Sequence, residues 1–583
     1  MNNDTSFLQR LKERKLVQWA LAYLAAAFVV FQSIEVMAEP WGIAPGLQRA
    51  VHILLLIGLL LVLILAWYHG EKGQQRVSGA ELLMIAGLLA IAAILLTIVK
   101  PQEEPATISQ PVLAIQGAKP AIAVLPFDNF SPNQDDAYFA DGMHEEIIRK
   151  LSDISGIKVI SRTSVMQYRE AKPPAREIGA ELGVGFLLEG SARKSEDRVR
   201  LTVQLIDASA DDHVWAEDYD RDLTAAHLFE IQGDVAERVA AALEVELAAS
   251  EMERIERHPT ESLTAYDLYL LGRYYWNQLD TEGLKRAVEY FEGAIDLDPG
   301  FALAYTGLAD TYMIQTQGWG LAPRDVFPKA REAAARALEL DPTLAEAHAS
   351  LGFVRLVFDW DWEGAEAAFK RAIELNPNYA SAPHWLAMCL MARARFAEAI
   401  QAVQHALALD PQSPYVKLNV AYVLYVSRQY DRALEAYSDA LEAHPNAALI
   451  RALRGAVYVQ LGRFEEGISD IELATEMLEG RNLIPAAYLG FAYARAGRRS
   501  DAGRVLRELQ EMSSERFVNP DYIAIVYIGL GENDEAIEWL YRATETRTDW
   551  PFFLPVDPVT DSIRSDPRYK ELLRTVGLSE LIE

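Results

Sequence analysis

The stretch Arg371–Ala380, RAIELNPNYA, ends an amphipathic run in a proline, and four other segments have the same form. They are AIDLDPGFA from Ala294, ALELDPTLA from Ala337, ALALDPQSP from Ala406 and ALEAHPNAA from Ala440. Their prolines, Pro299, Pro342, Pro377, Pro411 and Pro445, lie 43, 35, 34 and 34 residues apart. Proline lacks an N–H and cannot continue a helix, so each marks the end of one. At a fixed distance before each proline stands a small residue: Ala287, Ala330, Ala365, Ala399 and Ala433. Seven further on stands another: Ala294, Ala337, Ala372, Ala406 and Ala440. Helices can touch only where side chains are small, so these positions predict recurring helix crossings.

A 34-residue period is that of the tetratricopeptide repeat, two helices and a turn. The gap of 43 predicts an insertion around Gln317–Asp325. Three further units lack the proline but keep other marks: Gly455 with Tyr458 and Ala474, Gly490 with Tyr493 and Ala502, Ala524 with Tyr527 and Ala536. The expectation is about eight repeats over residues 264–548, with residues 549–583 as a carboxyl-terminal cap on the last apolar face. Stacked repeats make a solenoid whose concave side holds an extended peptide or a partner's helix. The register projects His384, Met388, Met391, Tyr415, Leu418, Tyr422, Tyr425 and Phe491 onto that side. Aromatic and methionine side chains suit a partner surface, and they serve equally as packing between repeats. Cys389, the one cysteine, sits in a repeat helix as a small core residue, and no disulfide can form within the chain.

The chain of 583 residues carries a net charge of −29. The first hundred residues hold 8 Lys/Arg against 6 Asp/Glu, leaving 47 against 78 beyond, a balance of −31. Such an excess repels nucleic acid, so no nucleic-acid partner is expected for residues 101–583.

Three apolar runs, about 17–37, 51–68 and 82–99, each approach the length that crosses a bilayer. Arg10, Lys12, Arg14 and Lys15 precede the first, and Lys72 and Arg76 separate the second from the third. The positive-inside rule then predicts a cytoplasmic amino terminus and three spans in a bacterial inner membrane. Residues 101–583 would be periplasmic, with residues 101–120 as a proline-rich tether. Val36-Met37-Ala38 offers an alternative, a signal-peptidase site.

From Ala121 the pattern becomes that of a small α/β domain reaching about residue 250. AIAVLPF and IKVISR read as strands, DDAYFADGMHEEIIRKLSDI and REIGAELGV as helices, and FLLEGSARKSEDRVRLTVQLID as a hairpin. Val199, Leu201, Val203 and Leu205 alternate with Arg198, Arg200, Thr202 and Gln204, giving one buried and one wet face. A helix from Leu228 to about Leu247 closes the unit. Gly183-Val184-Gly185 lacks the rest of a phosphate loop and reads as a tight turn. Asp141, His144 and Glu145 could hold a metal, or the acidic residues could settle a helix amino terminus. Trp215 and Tyr219 read as packing residues.

The words YFADGMHEEII, KVISRTSVMQY, REIGAELGVGFLLEGSAR, VRLTVQLIDA and HVWAEDYDRDL, over about residues 119–247, resemble the TolB-like amino-terminal domain. FLQRLKERKL and ILAWYHGEKGQQRVSG are similar to the membrane words of the variant of that family lacking both a nucleotide cyclase and a winged-helix output. The resemblance implies an accessory or sensory role and no reaction. The expected fold class is therefore multi-domain: three transmembrane helices, a small α/β domain and an all-α tetratricopeptide solenoid.

No HExxH, GxSxG or complete phosphate loop occurs, and no catalytic residue, metal or cofactor is expected. The expected function is a membrane-anchored scaffold holding a protein or peptide partner in the solenoid groove. Two alternatives stand beside it: a receptor whose α/β domain senses a small ligand, and a non-catalytic accessory of a cyclase or transcription-regulator system. Oligomeric state is not readable.

Overall fold

In the computed structural model the described residues are 119–315, 321–479 and 481–582, together with Ala27. The expectation of three membrane spans is corrected: among the described residues no helix is long and apolar enough to cross a membrane. The longest described helices, Ala225–Ala242 and Pro323–Leu340, interrupt their apolar faces with charged residues, as helices covering a protein core do. The runs 17–37 (Ala27 apart), 51–68 and 82–99 and the tether up to residue 118 lie outside the described residues. The inner-membrane and periplasmic placement rested on counting those spans and is withdrawn with them.

The α/β domain is built on six strands: β1 (Ala121–Val124), β2 (Asp128–Asn129), β3 (Lys158–Val159), β4 (Phe186–Lys194), β5 (Arg198–Asp207) and β6 (Asp212–Asp222). The order is β3-β1-β4-β5-β6, with β2 also paired to β4. β1 runs parallel to β3 and β4, whereas β4, β5 and β6 form an antiparallel meander. Val199, Leu201, Val203 and Leu205 are fully buried while Arg198, Arg200 and Thr202 are exposed, so the alternation sets the faces. β6 has no such apolar alternation, and sequence reasoning left it unassigned. It is an edge strand whose Asp218 and Asp220 pair with Arg200 at 3.0 Å and Arg198 at 2.5 Å across the wet face. Gly183 closes the helix Ala175–Leu182 in the left-handed region, φ 64°, and the chain enters β4 three residues later.

The rest is helical. Eight helix pairs follow among the described residues: 263–276 with 281–297, 302–314 with 323–340, 345–354 with 362–375, 381–392 with 396–409, 414–426 with 430–443, 448–460 with 464–478, 484–495 with 499–515, and 520–530 with 533–546. All ten alanines of the repeat register are at most 1 % exposed. Each proline turn also has one geometry. Asp298, Asp341, Asn376, Asp410 and His444 cap the preceding helix, donating their N–H to Ala294, Ala337, Ala372, Ala406 and Ala440 at 2.8–3.0 Å. All five have φ between −132° and −141°, the extended backbone that a following proline imposes.

These turns also hold the α/β domain. Thr260, in the segment leaving that domain, donates to Asp298 at 2.5 Å, and Arg257 pairs with Asp341 and donates to Thr343 at 3.2 Å. In the third turn the Asn378 amide N–H₂ donates to the carbonyls of Ser152 (3.1 Å), Ile154 (3.3 Å) and Ile157 (2.9 Å), while its oxygen accepts from Val159 N–H at 3.2 Å. In the fourth, Ser164 donates to Asp410 at 2.5 Å and Ser161 N–H to Leu409 O at 2.9 Å. Four successive repeats thus present their turns as one edge that grips the domain.

Candidate functional site

The Asp141, His144, Glu145 cluster is a junction. Its helix begins at Ala137, so neither carboxylate reaches the first-turn N–H groups. Asp141 pairs with Arg169 at 2.5 Å and lies 3.8 Å from Arg162. Glu145 pairs with Arg273 of the first repeat at 2.5 Å and accepts from Asn277 at 3.0 Å. Burial opposes its ionisation, but the Arg273 and Arg162 charges prevail and hold its carboxyl below the ordinary range. His144 donates Nε2–H to Val124 O at 2.9 Å, and burial pushes its pKa down to about 3, so the ring is neutral. Among the described residues no group of three His, Cys, Asp or Glu is placed to hold a metal. Tyr219 packs inward, its hydroxyl on Asp234 at 2.6 Å. Cys389 is buried among repeat helices.

The projected groove residues separate into three groups. Tyr415 is 56 % exposed. His384 and Leu418 are half-buried, with Asn419 Nδ2 at 2.5 Å from His384 Nε2. Met388, Met391, Tyr422, Tyr425 and Phe491 are buried. Phe491 packs between repeats, against Gly529, where an added Cβ would meet the Phe491 backbone at 2.9 Å. What covers Tyr422 and Tyr425 is the chain's own carboxyl-terminal segment.

That segment does more than close the last repeat. Its helix Pro567–Thr575 packs on 533–546, but the rest runs inside the array. Trp550 is fully buried and Trp550–Phe553 touches helix 381–392. Trp362 donates Nε1–H to Val576 O at 2.8 Å, and Arg393 pairs with Glu580 at 2.7 Å. At its centre Asp557 is fully buried and receives four hydrogen bonds. Tyr422 (3.0 Å), Tyr425 (3.0 Å) and Tyr488 (2.5 Å) donate their hydroxyls, and Val559 N–H donates at 2.9 Å. Burial raises the Asp557 carboxyl above its ordinary range despite those donors. Arg428 grips either side, donating to Val556 O at 2.9 Å and pairing with Asp561 at 2.8 Å.

Sequence reasoning reached Tyr422 and Tyr425 but missed Tyr488 and Asp557. The available signal was VDPV, Val556–Val559, an Asp-Pro word outside the repeat register.

Comparison with known proteins places these parts. Residues 361–420 and 419–477 match family profiles described as tetratricopeptide repeat. Residues 118–238 match the profile described as HilA/YgeH-like transcriptional regulator, second domain. Residues 361–477 thus carry tetratricopeptide repeats, and the α/β domain ahead of them is similar to the second domain of HilA/YgeH-like regulators. The chain is 36 % identical over 244 residues to the putative adenylate cyclase 3 of Rhizobium meliloti, covering 42 % of this chain and 41 % of that protein. It is 23 % identical over 273 residues to the transcriptional regulator HilA of Salmonella typhimurium, covering 46 % and 48 %. The chain thus spans less than half the length of these relatives. Among solved structures it is similar to a tetratricopeptide repeat protein from Parabacteroides merdae, with 14 % identity and TM-score 0.31 over 51 % of this chain and 99 % of that one. It is also similar to YrrB, described as a TPR protein with an unusual peptide-binding site, with 20 % identity and TM-score 0.25 over 33 % and 93 %.

Proposed function

We propose that this chain is a protein–protein interaction scaffold. Its partner face is the concave side of the later repeats, lined by His384, Met388, Met391, Tyr415, Leu418, Tyr422, Tyr425 and Phe491. The observation that carries the reading is that Tyr422 and Tyr425 of this face, with the neighbouring Arg428, already hold a polypeptide, the chain's own segment 550–582. The α/β domain is held by the turns of the first four repeats, which leaves the inner helices of the fourth and later repeats for a partner. A crosslinker placed at exposed Tyr415 in intact cells, followed by mass spectrometry, tests it. Tyr415→Ala is expected to change stability by less than about 0.5 kcal/mol, as an exposed site should, and to reduce partner crosslinking from a second probe at Leu418. Undiminished crosslinking would remove this face from consideration.

The reading includes no catalysis, and the chain is taken to share the non-catalytic part of its cyclase relative. Purified protein is expected to form no cyclic nucleotide from ATP or GTP; measurable product would overturn this.

One observation favours ligand sensing as a second reading. A cavity of about 430 Å³ lies between the α/β domain and the first three repeats, lined in part by Arg149, Lys150, Arg254, Arg257, His258 and Glu346. That volume suits a small molecule, and the four cations Arg149, Lys150, Arg254 and Arg257 outnumber the three lining carboxylates Asp153, Asp341 and Glu346, which favours an anion. Lys150 is held there by the carbonyls of Arg254, Ile255 and Arg257. A rise in melting temperature of the full chain with succinate or inorganic phosphate, lost in Arg254→Met, would favour this reading. No rise with either would count against it.

A further inference from the structure

We infer that the cavity between the α/β domain and the first three repeats is a binding site for a free aliphatic α-amino acid. Its carboxylate meets Arg254, its ammonium meets Glu346, and its side chain lies on Leu303, Leu340 and Leu344. The inference rests on the ligand-sensing reading and adds the class of ligand.

Three observations carry it. First, most charges lining the cavity are already committed. Lys150 gives all three N–H donors to the carbonyls of Arg254 (3.1 Å), Ile255 (2.5 Å) and Arg257 (3.0 Å). Arg257 is paired with Asp341, and Arg149 bonds Glu146 twice, at 3.0 and 2.8 Å. Two groups of opposite sign are left over. Arg254 donates Nη2–H to the Asp153 carbonyl at 3.0 Å, while its Nε, 3.7 Å from the Asp153 carboxylate, has no hydrogen-bond partner. The Glu346 carboxylate lines the cavity and, among the described residues, takes no hydrogen bond or ion pair from another side chain. The charges that face it are Arg149, Asp153 and Glu146. Burial pushes its carboxyl up to about 7, and an ammonium against it would hold it ionised.

Second, the remaining wall is aliphatic. Leu303, Leu340 and Leu344 line it with Ala302 and Ala345, and the one ring present is that of His258. Third, the site is built before a ligand enters. The segment carrying Arg254 is fixed from behind by Lys150, so little ordering is left for binding to do.

These features select among small molecules. A plain anion on Arg254 would face the Glu346 carboxylate, and a plain amine on Glu346 would face Arg254. A molecule with both charges on neighbouring atoms satisfies both groups. An α-amino acid is that molecule.

The test is calorimetric titration of the full-length chain at about pH 8, where Glu346 is ionised. The probes are L-leucine, 4-methylpentanoate and 3-methylbutylamine; the last two are leucine without its ammonium and without its carboxylate. L-Leucine is expected to bind about tenfold or more tightly than either, the size of one charge-assisted hydrogen bond. Glu346→Gln should remove the preference over 4-methylpentanoate, and Arg254→Met the preference over 3-methylbutylamine. Equal affinity for L-leucine and 4-methylpentanoate, or a preference that survives Glu346→Gln, would overturn the amino-acid assignment. Should a variant not fold, hydrogen exchange on the wild type decides. L-Leucine should slow exchange of residues 249–259 and 340–346 while sparing 484–495, and unchanged exchange would be fatal. A rise in melting temperature with succinate or phosphate but none with L-leucine sinks this inference alone. No response to any of the three removes the ligand-sensing reading with it.

Discussion

Asn378→Leu is expected to destabilise the junction between the α/β domain and the array by about 4 kcal/mol. Leucine has nearly the same volume but strands three buried backbone groups, the carbonyls of Ser152 and Ile157 and the N–H of Val159, while the Ile154 carbonyl keeps the Ile157 N–H at 3.3 Å. Each such group costs about 1–3 kcal/mol when left unsatisfied, and partial relaxation trims the sum. Asn378→Asp should be at least as damaging, because it turns a carboxylate toward three carbonyl oxygens. Urea denaturation gives the size of the loss, and hydrogen exchange gives its location. Residues 152–160 should lose protection first while helices 448–460 and 464–478 keep theirs. A loss under about 1 kcal/mol would mean that water replaces the amide and that the third turn is not a principal clamp.

That prediction concerns a residue whose type was visible and whose role was not. Asparagine after Asn-Pro is an ordinary turn residue, satisfying its own backbone, and its N–H does bond Asn376 Oδ1 at 3.0 Å. The second task, binding another domain more than 200 positions earlier, has no local sequence signature. The repeat register was legible because small residues and prolines must recur wherever helices cross and end, and the ten alanines fall at those crossings. Register likewise places Tyr422 and Tyr425 on the first helix of their repeat, and there they are buried. Their partner was hidden: Asp557-Pro558 carries the same two residues as the repeat turns, and only three-dimensional closure brings Tyr422, Tyr425 and Tyr488 onto it. β6 was missed because an edge strand needs few apolar residues, and most of DHVWAEDYDRD is charged or histidine. The membrane expectation failed for a different reason. It was an argument from run length over residues 17–99, which apart from Ala27 lie outside the described residues, whereas among the described residues no helix is both long and apolar enough to cross a membrane.

The root of the tail should be sensitive to pH, and Asp521→Asn should abolish most of that sensitivity. Asp521 is fully buried in the last repeat and accepts from Thr548 at 2.9 Å, while its second oxygen has no hydrogen-bond partner. Asp549, which begins the tail, is held by Asn519 at 3.3 Å. Burial, and then the Asp549 charge, push Asp521 up to about 8; burial pushes Asp549 up to about 6. In an unfolded chain both would ionise near 3.9. Between those values the folded form holds protons that the unfolded form has released, so stability must fall as pH rises. The contribution is whole below about pH 4, declines through neutrality and is gone above about pH 8. At up to about 1.4 kcal/mol per pH unit for each excess proton, and with relaxation of a terminal repeat, the loss between pH 5 and pH 8 should be about 2–4 kcal/mol. The amide introduced by Asp521→Asn would keep the Thr548 bond and has no proton to lose. The variant's stability advantage over the wild type should therefore be small at pH 5 and largest at pH 8. Because the affected groups join helix 520–530 to Trp550, the change should appear as faster hydrogen exchange in residues 520–560, with helices 396–409 and 430–443 unaffected. Parallel stability curves for the two proteins from pH 5 to pH 8 would show that Asp521 is not protonated in the fold, and that the pair is held by solvent instead.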